Sequence, residues 1–389
     1  MYLLVLDDNL DAKELVDAYE SLIWTERYSA VGDFELLIKS DRGTRALLPV
    51  GTRLASDVSD RVMEIETVEN STDDEGVAVL KIKGRSLEKW MFDRVTTQAY
   101  ESGAPGITSY DFTQTPGYIA RAVFDGTCRY NPVIPADNFP FLVEGSLYLP
   151  GTIAEPTETI TVTVTPETVY DLIKKLCDVY NLGFRLVRDK DTSLLYFDIY
   201  TGHDRTTQQS ANEVVIFSQS LENLSSPTDL TSIANQKNIA YVFSEHGSMI
   251  VYADPSVSSL SEGFSRRVLV VKADDISEPA GATLNALLTQ RGKEALAEHR
   301  PVLAFDGEVP QFGSYIYGQD YALGDLVEMQ NFDGLSTNMR VTEQIFVSDA
   351  EGERAYPTLT MDLLITPGSW LAWDSNQVWD DATEEWADA

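Results

Sequence analysis

The sequence predicts a mainly β chain, with two small β-barrels and α+β modules inserted between their strands. Three observations carry that reading. β-prone runs bounded by turn residues fill the first hundred residues and return over 302–366. Helical spacing is confined to a few short stretches between them. The two strand-rich regions also share one local pattern. At 389 residues the chain is too long for one ordinary core, and two or three domains are expected.

In the first region, Phe34 to Lys39 is a β-prone run after Gly32-Asp33, and Gly51 to Ala55 starts another after Pro49. Arg61 to Glu69 is rich in β-branched and apolar residues. Asp73-Asp74-Glu75-Gly76 supplies turn chemistry, and Val77 to Lys83 reads as the returning strand. Ser86 is placed to cap a short helix through Leu87, Trp90 and Met91.

Between 103 and 156 prolines and glycines are frequent, which predicts much loop. A short helix is expected after Thr115, with Pro116 in its first turn and Ile119 and Val123 on one face. A stronger one begins near Thr165-Pro166-Glu167. Its stripe is Val169, Leu172, Ile173, Leu176, Val179 and Tyr180, and Gly183 is expected to stop it. Cys177 lies on that stripe, so it reads as a packing residue; a disulfide with Cys128 stays open. Strands follow at 184–188, 194–200, 214–217, 238–244, 249–253 and 267–272. A last helix runs over 283–299 on Leu284, Leu287, Leu288, Ala295 and Leu296.

The repeated pattern is a turn glycine, a strand, an Arg-Val-x-Glu strand start and a returning strand. The first copy is Gly51 to Leu54, Arg61 to Ile65 and Val79 to Ile82; the second is Gly324 to Val327, Arg340 to Ile345 and Leu359 to Asp362. Hairpins of like composition would give such a match without kinship. The sharper reading is two related barrels, at 1–98 and at 207–245 with 300–366. An α+β domain at 99–206 and a strand-helix insertion at 246–299 interrupt them. Three copies of such a chain would present six quasi-equivalent barrels, able to mate with a sixfold tube.

The chain carries 62 acidic and 29 basic residues, a formal net charge of −33. That balance disfavours affinity for nucleic acid, because phosphates are repelled. It suits solubility before assembly, or an inner surface past which DNA slides without sticking. No apolar run approaches the roughly 20 residues that span a bilayer, so no membrane insertion is expected. The start Met1 to Asp8 lacks the features of a signal peptide, and synthesis in a cytosol is expected. After Pro367 the chain becomes an acidic segment, 367–389. There Trp370, Trp373, Trp379 and Trp386 alternate with carboxylates, which suggests docking on a partner.

The sequence contains no familiar catalytic constellation. His203, His246 and His299 are widely spaced, and no His-Glu-x-x-His, paired Cys-x-x-Cys or phosphate-cradling glycine loop occurs. Asp7, Asn9 and Asp11 have calcium-loop spacing, but Ala12 and Ala18 stand where the loop needs glycine and glutamate. No catalytic residue, cofactor or metal is expected. Gly202 to Thr206 reads as a polar turn whose Arg205 bonds locally or across a subunit contact. Arg61, Arg205 and Arg340 are candidate interface anchors, since arginines in an acidic assembly pair with carboxylates.

An ordered series of segments resembles the tail-hub proteins of siphophages, especially those infecting actinobacteria. The series is Trp24 to Tyr28, Gly32 to Leu36, Val62 to Ile65, Gly84 to Leu87, Gly202 to Thr206, Val215 to Ser218, Glu222 to Leu224 and Tyr321 to Val327. The likeness runs to about residue 366 and is weakest over 100–160. It implies a homotrimeric ring with two tail-tube-like β-barrels, similar to the central hub of contractile tails. It implies a place at the tail tip of the virion, beside a distal tail protein or the last tail-tube ring. Further implied partners are the C-terminus of the tape-measure protein, downstream tip or receptor-binding proteins, and genomic DNA that passes without specific binding. Two rivals remain. One is a receptor- or cell-wall-carbohydrate-binding tip protein, suggested by the 10% aromatic content. The other is a cell-wall hydrolase, for which the 22 residues after Pro367 leave no room as an added C-terminal module.

Overall fold

A computed structural model describes residues 1–361 except 73–75, 97–99, 102–103, 106–108, 132–133, 143–155, 254–264, 309–314 and 331–335. The tryptophans Trp370, Trp373, Trp379 and Trp386 therefore lie outside the described residues. The chain is mainly β, as its sequence predicts.

The first strand-rich region forms β1 (Leu3–Leu6), β2 (Ala12–Val16), β3 (Ser21–Arg27), β4 (Asp33–Lys39), a short α1 (Arg42–Leu47), β5 (Arg53–Ser56), β6 (Val62–Thr72) and β7 (Ala78–Ser86). Alternation puts Phe34, Leu36 and Ile38 of β4 inward, against Leu22 and Trp24 of β3. Fully burying side chains of this size stabilises by about 1.5–3 kcal/mol each. The sequence reading missed α1, whose signal is local: Asp41 accepts the Thr44 N–H at 2.8 Å as its N-cap. Ser86 is a correction. It precedes a 3-10 turn, Leu87–Asp93, but makes no side-chain cap. Its hydroxyl instead accepts the Gly32 N–H at 2.9 Å, locking β7 to the start of β4.

A two-residue ribbon, β8 (Tyr100–Glu101) with β9 (Ala104–Pro105), leads into the α+β module. The module contains β10 (Tyr110–Gln114), α2 (Pro116–Phe124), β11 (Ile160–Val164), α3 (Val169–Tyr180), β12 (Gly183–Arg188) and β13 (Leu195–Tyr200). Thr168 caps α3, and Val169, Leu172, Ile173, Leu176, Cys177 and Val179 are buried along it. The helix stops at Asn181, in left-handed conformation, not at Gly183, which opens β12. Cys128 and Cys177 are free thiols buried in this core, and burial pushes the Cys128 pKa up. The same core takes in Leu6, Val62, Leu87 and Met91, so the module packs on the first region.

The rest of the chain forms β14 (Ile216–Ser218), β15 (Ser225–Ser232), β16 (Ile239–Ser244), β17 (Gly247–Tyr252), β18 (Val268–Lys272), α4 (Ala282–Ala297), β19 (Val302–Glu308), β20 (Leu326–Gln330), β21 (Ser336–Asp349) and β22 (Gly352–Met361). β16 departs from the expected boundary at 245. It pairs with β17 and β18 under α4, with Val242, Val251, Leu284, Leu287 and Leu288 as their core. The inserted unit therefore already includes Ile239.

The two strand-rich regions repeat one another. In the first the strand order is β3-β4-β7-β6-β5, and in the second it is β15-β19-β22-β21-β20. Gly51 and Gly324 both have positive φ, +88° and +89°, a region open to glycine at little cost. The Gly51 N–H bonds the Ile65 carbonyl and the Ile65 N–H bonds that of Thr52. In the second copy Gly324, Val341 and Asp325 make the same two bonds. A bulge follows in both, between Ile65 and Thr67 and between Val341 and Glu343. The repeat therefore matches Ile65 with Val341, and Glu64 with Arg340. The Arg-Val-x-Glu alignment had set Arg61 against Arg340.

Neither copy closes on itself through the strand pairings of the described residues. After its bulge β21 leaves β20 and pairs antiparallel with β3, from Glu343 opposite Arg27 to Asp349 opposite Ser21. The two copies thereby become one thirteen-stranded sheet, with β14 added in parallel beside β20.

Candidate functional site: a buried junction of three modules

Four of the segments that carry the resemblance give Tyr28, Val215, Phe217, Leu224, Tyr321 and Val327 to one core, where the two sheet copies and the α+β module meet. Tyr28, just past β3, sits at the centre and is 3% exposed. Its N–H bonds the Thr342 carbonyl at 2.9 Å, and its carbonyl accepts the Phe184 N–H at 3.0 Å. Its hydroxyl reaches the carbonyls of Asn181 at 2.8 Å and Tyr200 at 3.1 Å. The Tyr200 ring meets it edge-on at 5.2 Å, and the Arg340 guanidinium lies 5.7 Å over its face. One side chain thus touches all three modules. It fits because its neighbours are glycines: a Cβ on Gly183 or Gly324 would stand 2.2 or 2.4 Å from the ring.

Gly202 presses still closer, since a Cβ there would stand 1.9 Å from the Gly324 carbonyl carbon. The chain after it runs beside β20. His203 and Arg205 exchange backbone hydrogen bonds with Leu326, both at 2.8 Å. The buried Asp325 carboxylate ties this contact together. It accepts the His203 N–H at 2.7 Å, the Arg205 Nε–H at 2.6 Å and the Ala322 N–H at 3.0 Å. Arg205 therefore bonds locally, to a carboxylate of its own chain. Arg340 also turns inward, donating to the Gly324 carbonyl at 2.5 Å.

Arg61 is enclosed more fully still, at 3% exposure against Glu88 at 0%. Its Nη1 lies 3.4 Å from Glu88 Oε1, and its Nη2 donates to the Arg27 carbonyl at 2.8 Å. Glu88 also accepts the Leu186 N–H at 2.9 Å, which joins β12 to the first sheet copy. Burial by itself would lower the Arg61 pKa; the charges of Glu88 and Glu26 outweigh it and hold the guanidinium firmly protonated. Glu26 accepts from the Ser59 hydroxyl and from the Tyr317 hydroxyl at 3.1 Å, bringing the second copy into the same network. Burial, reinforced by Glu26, raises the Tyr317 pKa well above its usual value. Arg205 thus ties the segment after β13 to the second copy, and Arg340 meets Tyr28 of the first. Arg61 bonds within the first copy, where it neutralises the Glu88 that reaches β12. Tyr28 and Asp325 complete the junction, although sequence reasoning did not single them out.

An ionic rim flanks the first copy. Glu66, the bulge residue of β6, is held by two Arg85 N–H groups at 2.8 Å and by Lys89 at 3.0 Å. Lys89 also meets Glu64 at 2.8 Å. Hydrogen bonding from Arg85 outweighs burial and, with Lys89, lowers the Glu66 pKa to about 2. A depressed carboxylate pKa gives stability that is present above the unfolded value of about 4.3 and is lost as pH falls toward the folded value. Solvent screening at this half-exposed site limits the effect to under about 1 kcal/mol. Glu66→Gln is expected to lose that increment at pH 7, and the gap to the parent should close between about pH 5 and pH 2. Denaturant titrations across that range are the check, and a gap independent of pH would refute it.

Among the described residues no group of three or more His, Cys, Asp or Glu side chains is placed to hold a metal ion. No described helix is long and apolar enough to cross a membrane. The Asp7 loop bonds itself: Asp7 Oδ1 accepts the N–H groups of Asn9 and Asp11 at 2.8 and 3.0 Å.

Three solved structures share the fold. The 43 kDa tail protein of prophage MuSo2 from Shewanella oneidensis is 15% identical, with a TM-score of 0.55 over 93% of this chain and 98% of its own. A tail protein from Neisseria meningitidis MC58 is 14% identical, with a TM-score of 0.54 over 95% and 98%. Prophage tail protein gp18 from Listeria monocytogenes EGD-e is 12% identical, with a TM-score of 0.51 over 94% and 96%. No curated protein sequence matches the chain. A family model does match it, over residues 2–359, and every junction residue named above falls inside that span: the chain belongs to the Siphovirus ReqiPepy6 Gp37-like protein family.

Proposed function

We propose that the chain is a structural subunit of the hub at the tip of a siphophage tail. Three copies form a ring that joins the sixfold tail tube or distal tail ring to a threefold tip. The ring closes the tube and opens for DNA ejection. One observation carries this reading: a single chain holds the same five-strand unit twice, joined edge to edge. Three such chains present six equivalent units, which is what a threefold part needs to sit on a sixfold one. The family, and the fold shared with prophage tail proteins, support a tail role. The junction suits a structural rather than a catalytic part, because its charged groups are consumed in holding modules together.

The net charge of −33 fits a channel wall past which DNA slides, since lysines there would hold phosphates by releasing counterions. Partners on this reading are the adjacent tail ring, the end of the tape-measure protein and the downstream tip proteins. The test is the native mass of the purified protein, alone and mixed with the adjacent tail ring. The expected particle has three times the 43.2 kDa chain mass. A single-chain or two-chain particle under both conditions would overturn the proposal.

A further inference from the structure

We infer that the ring is closed by two β-strand edges of this chain. The outer edge of β6 beyond its bulge, Thr67 to Ser71, pairs antiparallel with the outer edge of β15, Thr228 to Ser232, in the next copy. This rests on the ring proposed above and names the contact that builds it.

The internal repeat supplies the template. Rows across the two copies match residue for residue. In the first copy Ile65 lies opposite Gly84, Gly84 opposite Phe34, and Phe34 opposite Trp24. In the second, Val341 lies opposite Leu359, Leu359 opposite Phe305, and Phe305 opposite Asp229. β15 therefore stands to the second copy as β3 stands to the first, and β6 stands to the first as β21 stands to the second.

Within the chain, the post-bulge part of β21 is joined to the outer edge of β3. The counterparts of those two edges carry no strand partner among the described residues. β15 ends the sheet, and β6 pairs with β5 only as far as Glu64. Each unit thus offers one edge of each kind; one pair is consumed inside the chain, and the complementary pair is left open at its two ends. That is a head-to-tail arrangement, which propagates from copy to copy and ends when a ring closes.

The register follows from the template. Phe346 lies opposite Trp24, and their counterparts are Asn70 and Asp229. Asn70 should therefore face Asp229, Glu69 face Leu230, Val68 face Thr231, and Thr67 face Ser232. No row sets like charges against each other. Leu230 and the neighbouring Ile233 are 55% and 50% exposed in the single chain, apolar surface that a second copy would cover. Neither five-residue edge carries lysine or proline, the residues that blunt an edge meant to stay in water.

Cysteine cross-linking of the full chain tests this. Glu69→Cys with Leu230→Cys places thiols opposite each other across the inferred contact. Glu69→Cys with Thr231→Cys, one residue out of register, puts them on opposite faces. The native Cys128 and Cys177 are buried and should not compete. Oxidation should give disulfide-linked two- and three-chain species, roughly tenfold more for the in-register pair than for the slipped one. The native mass of each variant under reducing conditions is measured alongside. A three-chain particle without linkage at the in-register pair, or with equal linkage at both, overturns this contact and leaves the ring standing. Single chains throughout, alone and with the adjacent tail ring, overturn both.

Discussion

Arg61→Met should cost the protein about 3–5 kcal/mol of stability, the range for removing one partner of a buried ion pair. The loss is not the value of the Arg61–Glu88 attraction. It is the penalty for leaving the Glu88 carboxylate, at 0% exposure, without its cation. Replacing both charges by apolar groups removes that penalty, so Arg61→Met with Glu88→Leu should recover most of the loss. The recovery should be incomplete. Arg61 also donates to the Arg27 carbonyl, and Glu88 accepts the Leu186 N–H that ties β12 to the first sheet copy. Denaturant unfolding of the parent, the single variant and the double variant measures the three terms. A single variant within about 1 kcal/mol of the parent would mean that water or a backbone shift solvates Glu88, and that this pair does not hold the modules together. A double variant no better than the single would show that packing volume, not charge, is what Arg61 contributes.

The sequence made the strands legible and left their partners hidden. Alternation in Phe34 to Lys39, and helical spacing from Val169 to Val179, are local signals, and both elements form as expected. The repeat was visible through Gly51 and Gly324, each of which holds a positive-φ turn. Its register was not visible. The bulges at Glu66 and Thr342 decide which residues oppose each other, and a bulge leaves no mark in composition. The expected pair of closed barrels met the same difficulty. β21 trades β20 for β3 halfway along its length, a pairing between residues some 320 positions apart. Arg61 and Arg340 stood out as the starts of the repeated strands, and Arg205 as part of the polar turn at 202–206. Their acceptors are Glu88, Asp325 and the Gly324 carbonyl; two are carboxylates among 62 acidic residues and one is backbone. The glycines at 183 and 324 are the trace that Tyr28 leaves in the sequence, yet glycine marks close approach without naming what approaches.

Gly202→Ala should be nearly as damaging, at about 3 kcal/mol, although it adds one methyl group. Overpacking usually costs about 1–3 kcal/mol because side chains shift to make room. Here the obstacles are backbone: the added Cβ would stand 1.9 and 2.0 Å from the Gly324 carbonyl carbon and oxygen, and 2.1 Å from the Asp325 nitrogen. Gly324 cannot retreat freely. The Tyr28 ring lies on its other side, and its own N–H is bonded to Val341. The segment after Gly202 must move away from β20 instead, stretching the bonds between His203, Arg205 and Leu326 and the grip of Asp325 on the His203 N–H. Each such bond is worth about 1 kcal/mol net. Gly126→Ala is the control, since nothing lies within 4 Å of a Cβ there; in the helical turn Asp125–Arg129 no loss is expected, and alanine should gain up to about 1 kcal/mol. Hydrogen exchange gives a readout that global stability does not. In Gly202→Ala the amides of His203, Arg205 and Leu326 should lose protection well before those of β3 and β4, because the fault lies where the second sheet copy meets the chain leaving β13. Equal protection in parent and variant, or a stability loss no larger than that of Gly126→Ala, would show that the junction gives way to a methyl group and is not the rigid contact its packing implies.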